Sequence, residues 1–237
     1  DLQLGRISSY ATTDFIAASH PAQLETVTFD AMGVTLAQKM NDGKFVASSL
    51  REDELFTFYR ADGVRDTLST GKAPYPFRFQ GIDDTSLKVK KRIFEYRLKY
   101  NGHNDKFVVC YCLNNLFEIY NSDGSLHKRI IAPYPYLVDT NHLSADKLGV
   151  PIAELIFTFK DCCLTDDRIF LLYNGSSPTG MIGAQSKIYV FDYEGNPIKY
   201  YLLDRYAHSF CIDKQGGVIY ALSDENDQKQ VVRYSML

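Results

Sequence analysis

The chain has 237 residues, of which 45% are hydrophobic and 23% are charged, and this composition is typical of a folded protein. Its net charge of −3, with Lys and Arg scattered along the chain, argues against a nucleic-acid-binding surface. No run of 18 apolar residues is present, so we expect no transmembrane segment. The N-terminus has no signal-peptide pattern, although a start at Asp1 fits processing or truncation equally well.

The chain repeats a pair of strands that leads to a glycine turn. The first strand of the pair is predicted at residues 14–20, 43–50, 105–112, 167–174 and 217–223. The second strand alternates apolar and polar residues and is predicted at 24–33, 55–63, 116–124 and 187–195, each time ending in glycine. Glycine is the residue that tight turns with a positive φ favour. The fifth copy continues instead into residues 230–237, which lack such a turn.

Two further strands complete each repeat. Returning strands are predicted at residues 34–40, 64–69, 125–131 and 197–203, and innermost strands at 92–100, 152–164 and 209–213. No helix of ten or more residues competes with this pattern. We interpret the basic run of Lys88, Lys90, Lys91 and Arg92 as the solvent-facing side of a strand.

We predict an all-β fold, a β-propeller of five or six blades that forms a single domain over residues 1–237. A four-stranded meander cannot bury both of its faces alone, whereas radial stacking of such sheets covers them. The last repeat lacks a returning strand, and residues 2–10 alternate like a strand without a blade of their own. We therefore expect this N-terminal strand to join the last blade and close the ring. A β-sandwich would explain the number of strands but not the recurring unit.

These units resemble the TolB-like six-bladed propellers that occur as exported proteins of gut Bacteroidetes. The resemblance rests on FEIYNSDG and IYVFDYEG, with DKFVVCY and DRIFLLY ahead of them, and it covers most of the chain. It implies export to the periplasm or the cell surface, often with a lipid anchor on the precursor, and it assigns no chemistry. The chain shows five units rather than six, so either one blade precedes this sequence or one blade is too divergent to recognise.

Loops on one face of such a propeller form the candidate binding site. The loops from an outer strand to the next inner strand read APYPF at residues 73–77, APYPY at 132–136 and DRYAH at 204–208. Proline makes a loop rigid, and tyrosine offers a flat apolar ring with a hydrogen-bonding tip. The loops between second and third strands share this face. The candidate ligand-binding residues are Tyr75, Arg78, Tyr134, Tyr136, Tyr206, His208, Arg51 and Asn114. Packing of the rim alone would explain the same pattern.

Catalytic signals are weak. The five histidines form no HExxH motif, no GxSxG motif is present, and we predict neither a catalytic residue nor a cofactor. The five cysteines have no CxxC spacing, and we interpret them as reduced, buried small hydrophobes. We favour a non-catalytic binding or protein-interaction module, whose partner is a small molecule, glycan, peptide or protein. The alternative is a metal-dependent hydrolase or lactonase with ligands at the central channel, and a scaffold for partner proteins fits the same features as the first hypothesis.

Overall fold

The computed structural model describes residues 6–9, 25–31, 33–49, 53–67, 75–76, 87–132, 155–177, 185–213, 217–225 and 228–236. Within these ranges the chain is almost entirely β-structure. The strands are β1 (Arg6–Ser9), β2 (Glu25–Thr28), β3 (Val34–Lys39), β4 (Phe45–Ser49), β5 (Thr57–Tyr59), β6 (Tyr96–Asn101), β7 (Lys106–Tyr111), β8 (Leu116–Asn121), β9 (Leu126–Ile131), β10 (Phe157–Leu164), β11 (Ile169–Ser176), β12 (Lys187–Phe191), β13 (Pro197–Leu202), β14 (Ala207–Ile212), β15 (Val218–Glu225) and β16 (Gln228–Ser235).

The chain divides into two compact units, Asp1–Tyr75 and Pro76–Leu237. The expectation of a single domain over residues 1–237 stays a prediction. In the second unit, consecutive strands pair antiparallel in three meanders, which are β6–β9, β10–β13 and β14–β16. The predicted strands and glycine turns are confirmed here, because Gly124 and Gly195 have φ angles of 88° and 78° where β8 and β12 turn back. Four-stranded antiparallel sheets of this kind are the blades that a propeller requires.

The β10–β13 sheet of the second unit buries side chains on both of its faces. On β11, Ile169 and Leu171 face a cluster that also contains Val108 and Cys110 of the β6–β9 sheet. The alternate β11 residues Phe170 and Leu172 face a second cluster, which contains Ile219 and Ala221 of the β14–β16 sheet. Because side chains alternate along a strand, one strand supplies two cores. The β10–β13 sheet therefore packs against a sheet on each side, as radial stacking predicts.

Three of the five cysteines, Cys110, Cys112 and Cys162, are buried as expected of small hydrophobes, whereas Cys163 is partly buried and the expectation is wrong for Cys211, which is exposed. Cys110 and Cys162 belong to the first of the two cores, and all five cysteines are free thiols. A hydrogen bond with Cys162 and burial raise the pKa of the Cys110 thiol. Burial likewise raises the pKa of Cys112 to about 12. These buried thiols are protonated at neutral pH and unreactive while the protein stays folded.

The first unit contains a two-stranded sheet, β1–β2, and a three-stranded sheet, β3–β4–β5. The prediction that residues 34–40 return to pair with the strand before Gly33 is wrong. Strand β2 pairs with β1, whereas β3 pairs with β4 and begins another sheet. Gly63 closes the turn after β5 with a φ of 85°. A Cβ atom at Gly63 would lie 2.1 Å from the Thr28 carbonyl oxygen, so this position of the unit requires glycine. After this turn only a single bridge, between Tyr59 and Arg65, follows in the described residues.

The expected closure by the N-terminal strand is also wrong. Strand β1 pairs with β2, in a register that places Arg6 opposite Thr28, and the β14–β16 sheet has three strands in the described residues. An alternating pattern identifies a strand but does not specify its partner, and here the partner lies close by in sequence.

The basic run after residue 86 is a helix rather than a strand. Helix α1 spans Leu87–Ile93 and contains Lys88, Lys90, Lys91 and Arg92. Val89 and Ile93 lie four residues apart and are 3% and 0% exposed, which is the spacing of a buried helical stripe. The strand interpretation missed this spacing because the helix has only seven residues. None of the helical structure described for this chain has the length and apolarity needed to span a bilayer.

Candidate functional site

One end of the second unit gathers the two kinds of loop that the sequence placed together. Ser186, before β12, donates a hydrogen bond of 2.5 Å from Oγ to Asn174 Oδ1 at the end of β11. The backbone N–H of Ala207, at the start of β14, donates to Ser186 Oγ over 2.8 Å. Asn174 Nδ2 in turn lies 3.4 Å from the Ala207 carbonyl oxygen. The connection from β13 to β14 is therefore fixed against the end of the β11–β12 hairpin.

Tyr206 and His208 lie beside each other at this end. Their ring centroids are 5.0 Å apart in an edge-to-face arrangement. Ser223 Oγ donates to the Tyr206 carbonyl oxygen over 2.5 Å, which attaches this backbone to β15. Burial raises the pKa of the half-buried Tyr206 phenol, whose hydroxyl oxygen is itself buried, so the group remains protonated at neutral pH.

Asp224 orients the histidine. His208 Nε2 is 2.6 Å from Asp224 Oδ2, and the two side chains are 35% and 46% exposed. A carboxylate held on one imidazole nitrogen fixes the ring orientation and leaves the other nitrogen for a further partner. The arrangement supplies a polar, partly solvated anchor next to an aromatic edge. Sequence analysis did not select Asp224, because 16 residues separate it from His208.

The loop ahead of Tyr206 is tied to the last strand. Arg205 donates from Nε and Nη2 to the two carboxylate oxygens of Asp204, each over 3.2 Å. The Tyr234 hydroxyl of β16 donates to Asp204 Oδ1 over 2.6 Å. Hydrogen bonds from Arg205 and then Tyr234 lower the pKa of Asp204 below its ordinary value. The carboxylate is therefore ionised at neutral pH and holds the loop in one position.

The remaining candidates separate into three groups. Asn114 is fully buried and donates from Nδ2 to the Ile93 carbonyl oxygen over 2.8 Å, so its side chain has no surface to offer a ligand. We therefore leave it out of the candidate site. Tyr75 belongs to the first unit, where burial, followed by Asp53 and Glu54, raises its pKa. The other candidates, which are Arg51, Arg78, Tyr134 and Tyr136, lie outside the described residues.

Innermost strands β6 and β10 carry basic residues that sequence analysis did not select. Arg97 of β6 donates from Nε to the Lys160 carbonyl oxygen of β10 over 3.1 Å. Lys160 Nζ lies 5.0 Å from the centre of the Phe157 ring, within the range of a cation–π interaction. Because 63 residues separate Arg97 from Lys160, only the folded arrangement brings them together.

The metal-dependent alternative gains no support from the described part of the chain. No group of three or more His, Cys, Asp or Glu side chains is arranged there to hold a metal ion. His208 and Asp224 form a pair, and a third ligand of these types does not accompany them in those residues.

Comparisons with known proteins agree on the fold. The family model described as TolB-like 6-blade propeller-like matches residues 7–215. A solved structure, described as the structure of Dos1 propeller, aligns with a TM-score of 0.52 at 9% identity. The alignment covers 98% of this chain and 50% of the other, so the chain spans about half the length of that protein, and at this identity the likeness concerns the fold alone. No curated protein matches the sequence. The predicted all-β propeller is confirmed.

Proposed function

Because the chain belongs to the TolB-like six-bladed propeller family, we propose that it is a non-catalytic binding or protein-interaction module whose ligand contacts Tyr206 and His208. The observation that carries this proposal is the pairing of an aromatic ring with an oriented, partly exposed histidine at the loop end of the second unit. A propeller fold fits such a role, since its loops vary while the sheets hold them rigid.

The geometry is suited to recognition of a small polar ligand. Tyr206 presents an aromatic ring beside His208, with its hydroxyl oxygen buried, and His208 provides a nitrogen that Asp224 does not occupy. The backbone around them is fixed by Ser223 and Ser186, both of which are fully buried. A site held in one conformation loses little conformational entropy when a ligand binds. These features favour a glycan or a short peptide.

Several earlier expectations belong to this proposal. Arg78, Tyr134 and Tyr136 remain proposed contributors to the loop face of the second unit, and Arg51 and Tyr75 remain proposed binding residues of the first unit. Export, with a place in the periplasm or on the cell surface, fits a module that meets extracellular ligands and rests on the family resemblance. A role as a scaffold for a partner protein would use the same surface.

A ligand screen followed by one substitution tests the proposal. Neutral oligosaccharides, uronate oligosaccharides and short peptides are screened by thermal shift, because a ligand of the native state raises the melting temperature. The affinity of each hit is then measured by isothermal titration calorimetry. We expect Tyr206→Ala to weaken binding at least about tenfold, as is typical for an aromatic residue at the centre of a binding site.

The matched control is Tyr200→Ala. Tyr200 is 62% exposed on β13, the outermost strand of its sheet, and lies outside the proposed site. Tyr200→Ala should leave the affinity for each ligand found in the screen unchanged. Equal losses in both variants would contradict a specific role for Tyr206. Stabilisation by a divalent cation alone, reversed by a chelator, would contradict the non-catalytic proposal and favour the hydrolase.

A further inference from the structure

Four cationic side chains lie near the innermost strands β6 and β10. Arg97 and Lys99 are two residues apart on β6 and therefore share one side of that strand. Lys160 lies on β10, and its carbonyl oxygen accepts the Arg97 Nε hydrogen bond. Arg92, in the last turn of α1, is joined to this group through an ion pair with Glu95, whose other oxygen is 3.8 Å from Arg97 Nη1.

The cations outnumber the carboxylates in this group. Glu95 faces Arg92 and Arg97, and Asp161 is engaged by two backbone N–H groups, those of Cys162 and Phe210. Four positive side chains against these two carboxylates leave an excess of two positive charges. The chain as a whole has a net charge of −3, so this excess is local. A local excess of one sign attracts a ligand of the opposite sign.

Donors of the group remain open to a ligand. Arg97 uses Nε for the Lys160 carbonyl and Nη1 for the Tyr96 carbonyl at 3.4 Å, while its Nη2 has no partner among the described residues. The Arg97 side chain is 35% exposed. Lys160 contacts the Phe157 ring, and no carboxylate of the described residues lies within 4.0 Å of its ammonium group.

This group lies close to the proposed ligand site along the backbone. Asp161 follows Lys160 directly, and its Oδ2 accepts the N–H of Phe210, which is two residues beyond His208 on β14. Innermost strands β6, β10 and β14 are thus connected in order by two side-chain-to-backbone hydrogen bonds, from Arg97 to Lys160 and from Phe210 to Asp161. The cationic group therefore lies on the innermost strands that precede the one carrying His208.

We propose that Arg97 and Lys160 form a carboxylate subsite that selects an acidic, uronate-type sugar; the inference rests on the proposed function. A guanidinium group and an ammonium group together match a carboxylate in charge and hydrogen-bonding geometry. The Phe157 and Tyr206 rings offer apolar surface of the kind on which a sugar ring packs. The one ring nitrogen of His208 that Asp224 does not occupy is left to pair with a hydroxyl group of the sugar.

The backbone argues for a sugar rather than a peptide. An extended peptide usually binds a sheet by pairing with free N–H and C=O groups of a strand edge. Here the Lys160 carbonyl and the Phe210 N–H are already occupied by the side chains of Arg97 and Asp161. Recognition along β10 and β14 at these residues therefore depends on side chains, which suits a compact sugar ring with one carboxylate.

Calorimetric titration with two matched probes tests the proposal. The probes are a galacturonate tetramer and its fully methyl-esterified form, which has the same backbone without the charges. We expect the acid to bind at least about tenfold more tightly than the ester, since a hydrogen bond to a charged group is stronger than a neutral one. Higher ionic strength should reduce this preference.

Lys160→Gln should sharply reduce the preference for the acid, because the affinity for the acid falls toward that for the ester. The backbone carbonyl that holds Arg97 remains in this variant, so the fold is retained even if Arg97→Gln proves too unstable to measure. The control is Lys199→Gln, because Lys199 also lies over a ring, 4.7 Å from that of Tyr201, but on outermost strand β13. It should change neither affinity.

The outcomes separate this inference from the proposed function. Equal binding of acid and ester, or a preference that Lys160→Gln leaves undiminished, overturns the carboxylate subsite while loss of ester binding in Tyr206→Ala still supports the binding module. An oligoglutamate peptide that binds as tightly as the galacturonate tetramer overturns the choice of a sugar. If Tyr206→Ala has no effect while Lys160→Gln sharply reduces the preference, the subsite stands and the proposed role of Tyr206 fails.

Discussion

Two carboxylates of the second unit make contacts of similar length in opposite surroundings. Glu118 of β8 accepts hydrogen bonds from the Tyr111 and Tyr120 hydroxyls, over 2.6 and 2.8 Å, and from Arg129 Nε over 2.6 Å. Its side chain is fully buried. Asp224 of β15 binds His208 over 2.6 Å and is 46% exposed. Both carboxylates make short contacts, so distance alone does not distinguish them.

Burial decides how much each of these carboxylates contributes to the stability of the fold. A buried charge that loses its partners has no water to replace them, so its network is essential to the fold around it. A partly exposed pair exchanges each contact for a contact with water at little cost. We therefore expect the Glu118 network to stabilise the β6–β9 sheet, and the pair of Asp224 and His208 to contribute little to stability.

The largest expected effect follows from Glu118→Ala. The substitution leaves two buried or nearly buried tyrosine hydroxyls and the Arg129 guanidinium without their common acceptor. We expect the free energy of unfolding to fall by about 3–5 kcal/mol, as for other broken buried networks. Urea denaturation followed by circular dichroism measures it.

Glu118→Gln serves as the control for charge. Glutamine keeps the volume and an acceptor for the tyrosines, and Arg129, which is 32% exposed, can turn to water. Glu118→Gln should lower the free energy of unfolding clearly less than Glu118→Ala does. A Glu118→Ala variant as stable as the wild type would contradict the stabilising role of the buried Glu118 network.

The second effect concerns Asn114, which sequence analysis assigned to a ligand and the structure buries. Removal of its amide in Asn114→Ala leaves the Ile93 carbonyl without this donor, and we expect a loss of about 1–3 kcal/mol. Thermal unfolding by calorimetry provides the measurement. The comparison variant is Asn104→Ala, because Asn104 is only partly buried and its amide donates one long hydrogen bond, of 3.4 Å, to the Asp166 carbonyl oxygen; it should lose less stability than Asn114→Ala. If Asn114→Ala is as stable as the wild type but no longer binds the ligand, Asn114 belongs to the binding site after all.

Asn114 also shows where sequence reasoning succeeds and fails. The strands and glycine turns of the second unit could be predicted, because alternation and turn glycines are local signals. Pairing partners could not, since β2 and β3 are adjacent in sequence but belong to different sheets. Burial of polar residues is equally hidden. Glu118 stands in LFEIYN, a strand buried on both faces, where no pattern distinguishes a core carboxylate from a solvent-facing one.

The candidate site was predicted only in part for the same reason. Tyr206 and His208 were found because one loop contains both of them. Asp224 and the pair of Arg97 and Lys160 depend on contacts between distant segments, which spacing in one sequence does not reveal.

The third effect tests the exposed side of the comparison. Asp224→Asn keeps a hydrogen-bonding group beside His208 and removes the charge, and we expect a stability change below about 1 kcal/mol. The same variant should weaken the binding of any ligand that contacts His208, because the ring loses its orienting carboxylate. Stability comes from urea denaturation and affinity from calorimetry. A loss comparable to that of Glu118→Ala would show that the His208–Asp224 pair is structural.

The smallest effect belongs to Asp204, the exposed carboxylate that fixes the loop ahead of Tyr206. Arg205 and Tyr234 lower its pKa in the folded state, so the unfolded chain binds a proton more readily than the folded one. This contribution is fully present above the ordinary aspartate value and is lost as the pH falls through the lowered pKa. The difference in melting temperature between wild type and Asp204→Asn should thus be constant from pH 7 to about 5 and shrink below about 4. The same comparison is repeated in a Tyr234→Phe background, which lacks one cause of the lowered pKa, and there the effect of Asp204→Asn on the melting temperature should be smaller. In a Tyr200→Phe background it should be unchanged. A difference that grows on acidification would contradict the ionised, loop-fixing role of Asp204.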